Sequence, residues 1–280
     1  MALERHRSTD DEHLITFYSE GSFERDRLAL GRGRLEFERT RELLGRYLPD
    51  PPARVLDVGG GAGAHASWLA KDGYEVELVD LVPALVDQAR QASDSQPEHS
   101  FRARVGDARS LDFADGSADV VLLLGPLYHL PEARDRAQAL AEAKRVLRPG
   151  GAVAAASINR WVPLLDAVRG GKLDEAGLER LTNVAETGQN DPAYGFTTAY
   201  FHRPEELARE LADAGFEDVQ VLAVEGPGWM FLRTGSREGS QDTPAVEESL
   251  LAAAVSLARA TETVPELLGA SAHLLAIGRS

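Results

Sequence analysis

The stretch VLDVGGGAG, Val55 to Gly63, decides how the rest of the chain is read. An apolar run that ends in an acid and passes into spaced glycines describes a strand-to-helix turn built around a nucleotide-like ligand, because glycine lets the backbone approach the ligand closely. The pattern serves two ligand classes, since Gly59, Gly61 and Ala64 also satisfy the G-x-G-x-x-G/A dinucleotide fingerprint. Asp57 separates them. A pyrophosphate seeks bare N–H groups at a helix N-terminus, and a carboxylate two residues before the first glycine would face it with the wrong sign.

S-adenosylmethionine reverses that preference: it has no phosphate, carries a sulfonium and an ammonium, and needs an acidic or carbonyl-lined mouth that Asp57 supplies directly or through water. The downstream spacing agrees. VELVD, Val76 to Asp80, reads as a second buried strand ending in an acid 23 residues after Asp57, and an acid about 20 residues past the glycines can take both ribose hydroxyls. A third strand near Phe101 to Val105 leads into Gly106-Asp107-Ala108, where a carboxylate and the next N–H are placed for the adenine amino group and ring nitrogen. A fourth, Asp119 to Gly125, carries VVLLLG.

With these motifs in order, the chain resembles the class I S-adenosylmethionine-dependent methyltransferases from roughly Pro51 to its C-terminus. The matching residues are Asp57, Gly59, Gly61 and Gly63 in the glycine loop, Asp80 with Leu81 after strand two, Asp107 with Ala108, and LLGPLYHL after strand four, which includes Leu124 and Gly125. RVLRPGGAVAAA, Arg145 to Ala156, looks like the family's helix, turn and fifth strand. The resemblance implies an α/β Rossmann-like, doubly wound, seven-stranded, mostly parallel sheet. Its last two strands would form an antiparallel hairpin with the final one inserted.

Composition bounds the partners. The 280 residues carry a formal net charge of −15, which repels a polyphosphate backbone and turns the reading away from nucleic acid. The arginines from Arg25 to Arg46 alternate with acids and read as a solvated helix face with intrahelical pairs. There is no cysteine, so disulfides and thiol mechanisms are excluded. No metal-ligand cluster is evident. MALERHRSTDDEH lacks a signal-peptide core and no run approaches about 18 apolar residues; the expectation is a cytoplasmic protein with a small-molecule acceptor and no membrane partner, its oligomeric state open.

The organisation follows the rhythm of the chain. Residues 1–50 read as a helical extension or lid, with helices near Asp10 to Tyr18 and Arg34 to Leu48, stopped by Asp50-Pro51-Pro52. Residues 51–158 and 203–280 read as the core, because strands alternate with helical patterns near Ala64 to Lys71, Pro83 to Ala92 and Glu132 to Leu147, the signature of a parallel sheet. Residues 159–202 read as a cap insertion: WVPLLDAVRGGKLDEAGLERL is helical, TNVAETGQNDPAYGFTTAY polar and aperiodic. The tail reads as helix Pro204 to Ala214, strand Val219 to Val224, helix Val246 to Ala260 and strand His273 to Ile277. An insertion after EGPGWM, Glu225 to Met230, is placed as a second pocket wall.

The chemistry expected is in-line transfer of the sulfonium methyl to an O, N or C nucleophile, with a base needed only if the acceptor is protonated. The candidates are Tyr128 and His129 beyond strand four and His202 at the far end of the cap; histidine titrates near neutrality and suits proton removal. Tyr18 and Arg39 in the extension are placed to close over the cofactor, and Trp161 and Trp229 to line pocket rims, although exposure or packing explains each equally well. Two other classes share the motif: a noncatalytic S-adenosylmethionine-binding module, and an NAD-dependent oxidoreductase.

Overall fold

The central strands at Arg54–Val58, Ala118–Leu123 and His273–Arg279 are short, mostly apolar runs that are largely buried, as a sheet covered by helices on both faces requires, while the strands at Arg102–Val105 and Glu217–Ala223 are more polar and more exposed. The computed structural model describes residues 9–20, 27–171, 173–194, 196–233 and 244–280. In chain order the core elements are α1 (Thr9–Glu20), α2 (Gly31–Tyr47), β1 (Arg54–Val58), α3 (Ala64–Lys71), β2 (Glu75–Asp80), α4 (Pro83–Asp94), β3 (Arg102–Val105), β4 (Ala118–Leu123), α5 (Ala133–Val146) and β5 (Leu147–Ile158). After them come α6 (Val162–Arg169), α7 (Glu175–Thr187), the hairpin β6 (Gln189–Asn190) and β7 (Ala199–Tyr200), α8 (Pro204–Asp213), β8 (Glu217–Ala223), α9 (Pro244–Thr261), α10 (Pro265–Leu268) and β9 (His273–Arg279).

Seven strands form one sheet in the order β3-β2-β1-β4-β5-β9-β8. All neighbours are parallel except the pairs β5–β9 and β9–β8. The last strand is thus inserted, as the resemblance implies. Alternation along each strand divides the core in two. Leu56, Val58, Val121 and Leu123 pack under α5 and α8 with Leu140, Leu207 and Leu211. Val55, Leu78, Val120 and Leu122 pack under α2, α3 and α4 with Leu43, Leu69 and Ala89. The chain reverses its winding between β1 and β4, and the crevice above that switch point is where ligands settle in open α/β sheets.

Two expectations change. The polar run after residue 181 is not a loop: α7 continues to Thr187, started by Asp174, whose side chain accepts the Gly177 N–H at 2.7 Å, and stopped by Gly188 at φ 80°. Val184 and Ala185 supply its buried face, a signal hidden by the polar residues around them. The helical insertion after Met230 includes residues outside the described ones; its helix α9 packs with the turn of 3-10 helix at Gly226–Phe231 around the buried Trp229, and no described residue of it lines the pocket. Arg25, with residues 1–8 of the extension, lies outside the described residues; Arg34 with Glu38 and Arg46 with Glu42 form the expected intrahelical pairs, whereas Arg32 and Arg41 pair with Asp166 and Asp72 of other elements and Arg39 is buried rather than solvated.

Candidate active site

β1 delivers the glycine loop to the C-terminal edge of the sheet. Gly59 has φ 74°, and a Cβ there would stand 2.5 Å from Pro126 Cδ; only glycine lets this loop touch the turn after β4. A Cβ on Gly61 would meet nothing within 4 Å, because this part of the loop faces the cavity. Gly63 precedes α3 and completes the turn. The loop is strapped to β2: Gly59 N–H donates to Val79 O at 2.7 Å and Gly61 N–H to Asp80 Oδ2 at 2.9 Å.

Beneath that loop Asp57 is 1% exposed, and neither carboxylate oxygen has a hydrogen-bond partner. Burial, with the nearby Asp80 charge, pushes its carboxyl up to about 7, the Ala66 amide opposing weakly without bonding it. A buried acceptor left unmade costs about 1–3 kcal/mol, more if charged, so the site favours a ligand that brings donors or positive charge. The ammonium and sulfonium of S-adenosylmethionine fit that demand; a pyrophosphate would add like charge.

Asp80 Oδ1 accepts the Val82 N–H at 2.8 Å while Oδ2 holds Gly61. Each carboxylate oxygen has a second lone pair, so Asp80 lines the pocket with Leu81 while fixing the loop. Asp107 and Ala108 line the pocket, but Asp107 is already committed: Arg109 binds it through Nε and Nη2 at 2.8–3.1 Å. Arg109 also reaches Asp11 of α1 at 2.9 Å, tying the extension to the core. Arg109 was missed in the sequence because Asp11 is remote along the chain.

Leu124, Gly125, Tyr128 and His129 form the wall after β4. His129 Nε2 lies 3.0 Å from Tyr18 Oη and Nδ1 lies 2.9 Å from Thr197 Oγ1. Tyr18 thus lines the pocket beside His129. The role of His129 as a base does not survive: burial pulls its pKa down to about 3, and both ring nitrogens are engaged. It is a neutral bridge between Tyr18 of α1 and Thr197. Among the described residues of 159–202 none lines the pocket; Thr197 and Phe196 reach it only by holding His129.

Three further expectations are corrected. His202 is fully buried away from the pocket, with Nδ1 2.5 Å from Ser157 Oγ and Nε2 3.1 Å from Glu210 Oε2; burial lowers its pKa although Glu210 opposes this, and it braces β5 against α8. Arg39 is also fully buried, bonded to Glu42 and Glu262 at 2.5 Å. Trp229 sits in a satellite core and Trp161 is 41% exposed on the surface, neither of them at the pocket.

The pocket lining also includes a set of residues that sequence reading did not find, termed its second lobe: Glu36 and Thr40 of α2, His65 of α3, Arg27 and His273. Arg27 grips Glu36 through two bonds, 2.6 and 3.1 Å. Burial raises the Glu36 carboxyl, but Arg27 and His273 outweigh this and hold it low. Ligand-capable atoms of Glu36, Glu225 and His273 lie within 4.8 Å of one another, a grouping that the sequence reading, which found no metal-ligand cluster, did not anticipate. No helix among the described residues is long and apolar enough to cross a membrane.

Comparison with known proteins agrees with this geometry. A methyltransferase-domain family model matches residues 56–155. A demethylmenaquinone methyltransferase of Beutenbergia cavernae is 31% identical over 226 residues, covering 79% of this chain and 87% of that protein. A ubiquinone biosynthesis O-methyltransferase of Xanthomonas euvesicatoria is 33% identical over 203 residues, covering 70% and 74%. The fold matches a solved S-adenosylmethionine-dependent methyltransferase of Thermotoga maritima, described as a possible histamine N-methyltransferase, with TM-score 0.59 at 18% identity over 95% of this chain and 99% of that one. The glycine loop, the carboxylate beneath it and these relatives together place the chain in the class I S-adenosylmethionine-dependent methyltransferases, as an enzyme that takes S-adenosylmethionine as its cofactor.

Proposed function

We propose that this enzyme methylates a hydroxylated aromatic small molecule of the quinol type, at oxygen or at a ring carbon activated by it. The observation that carries the reading is that Thr40, His65 and His273 line the same pocket as the glycine loop, which offers them to an acceptor. The names of the relatives above, which concern menaquinone and ubiquinone, support the acceptor class. So does the wall formed by Tyr18, Tyr128 and His129, where the Tyr128 and His129 rings stand 4.5 Å apart between centroids, a surface suited to a flat ring.

When bound, the cofactor supplies an electrophilic methyl group on a sulfonium. The residues of the chain position the two reactants, and such positioning can supply several kcal/mol of the barrier. A noncatalytic binding module would have no use for this second lobe. The domain reading stands as part of the proposal: 1–50 as lid, 51–158 and 203–280 as core, 159–202 as an insertion that acts from behind His129. Incubation with methyl-labelled S-adenosylmethionine and separate panels of hydroquinones, catechols, amines and carboxylic acids tests the acceptor class. Label in the hydroxyarenes is expected; label confined to amines or acids contradicts the proposal.

A further inference from the structure

His273 is the first residue of β9, and antiparallel pairing sets it opposite Ile158 at the ligand end of β5. Its Nδ1 stands 2.6 Å from Glu225 Oε1, and its own backbone N–H donates to Glu225 Oε2 at 2.8 Å. Glu225 is 1% exposed, so its carboxylate has no water to turn to. An ionised carboxylate only accepts, which fixes the imidazole proton on Nδ1 and leaves the lone pair on Nε2. Nε2 has no hydrogen-bond partner among the described residues, and the ring lines the pocket.

His65 on the same lobe has the opposite arrangement. The Trp68 Nε1–H donates to its Nδ1 at 3.1 Å, so the neutral ring carries its proton on Nε2. The pocket is therefore lined by both a proton acceptor and a proton donor. His129, with both nitrogens engaged, offers neither.

We propose that His273, oriented by the buried Glu225 carboxylate, is the base that takes the acceptor's proton; this rests on the reading of the second lobe as the acceptor site. For a hydroxyl acceptor, the O–H bond breaks and its proton passes to Nε2. The oxygen's electron pair forms the bond to the methyl carbon, and the carbon–sulfur bond breaks with its pair going to sulfur, leaving a thioether. The imidazolium faces Glu225 and Glu36, which stabilise it, and Arg27, which does not. Burial alone would lower the proton affinity of His273, but Glu36 and Glu225 outweigh burial and Arg27 and raise it above the ordinary value.

The test uses the full chain and two variants. His273→Asn keeps a donor toward Glu225 but has nothing at the Nε2 position; His273→Gln places an amide near Nε2 that cannot take a proton and serves if the first fails to fold. Calorimetry with S-adenosylhomocysteine is expected to give affinities within twofold of the parent for a folded variant, and a tenfold loss would overturn the proposal by making His273 a cofactor ligand. Imidazole NMR is expected to show Nδ1–H on neutral His273, with the titration moving down by about one pH unit in Glu225→Gln; Nε2–H, or no movement, would overturn it. With hydroquinone or catechol as acceptor, kcat should fall about 100-fold or more with KM little changed, and the acid limb of the pH profile should vanish. An unchanged acid limb would overturn the base role. Absence of turnover by the parent enzyme would count against the hydroxyarene reading instead, and the dyad would then stand or fall on the binding and NMR results.

Discussion

Asp57 is the residue on which binding and stability meet. Its folded-state carboxyl sits near 7, against an ordinary value of 3.8. Between those values the folded chain holds a proton that the unfolded chain has lost, so the ligand-free protein loses stability as pH rises from about 4 through 7. A cationic ligand favours the ionised form. S-adenosylmethionine should therefore bind more tightly as pH rises to about 7 and then level off, with release of up to one proton at pH 6, read by calorimetry in buffers of different ionisation enthalpy. Asp57→Asn should raise the Tm of the ligand-free protein at pH 8 by about 2–4 °C, the shift expected for each kcal/mol of relief, and should abolish the pH dependence of binding. An unchanged Tm and an unchanged pH dependence would remove Asp57 from the site. Asp80→Ala should weaken cofactor binding by more than the ribose contacts alone, because the loop amide of Gly61 loses its anchor at 2.9 Å; charge-assisted bonds contribute about 1.5–3 kcal/mol each. An unchanged dissociation constant would contradict this.

At the scale of elements, α1 is fastened to the pocket at two points, Asp11 to Arg109 and Tyr18 to His129. We expect Tyr18→Phe to speed cofactor release severalfold without moving the pH profile of turnover, measured by stopped-flow displacement; a shifted profile would give Tyr18 a part in proton transfer. Arg109→Ala should release α1 more completely, seen as faster amide exchange over Thr9–Glu20. Most elements could be read locally: β1, β2 and β4 are apolar runs with an acid or glycine at or just past their ends, and Pro and Gly mark where several helices start and stop. The end of α7 could not, since its buried residues, Val184 and Ala185, are flanked by polar ones. The position of His129 was legible from LLGPLYHL, but its protonation was not, because burial belongs to the fold and not to the motif. His273 and Glu36 were invisible for a different reason. They reach the pocket through the β5–β9 register and the packing of α2, which no local pattern encodes.

At the scale of the molecule, one sheet edge gathers every part of the site. β1, β2 and β4 bring their C-terminal ends to the crevice, and the antiparallel β9 brings its N-terminal residue to that same edge. This inversion is what adds a histidine to a cleft that the parallel strands furnish with carboxylates. His202, tied to Ser157 and Glu210 in the core, shows the converse: a histidine near the end of a cap in sequence can be a structural brace in space. The central claim is that the pocket above Asp57 binds a cationic, phosphate-free cofactor, and calorimetric titration with S-adenosylmethionine and with NAD, in the parent and in Asp57→Asn, tests it most directly. The expected result is saturable binding of S-adenosylmethionine that the substitution weakens at least tenfold, with no heat from NAD. Binding of NAD, or S-adenosylmethionine affinity indifferent to the substitution, would contradict the account.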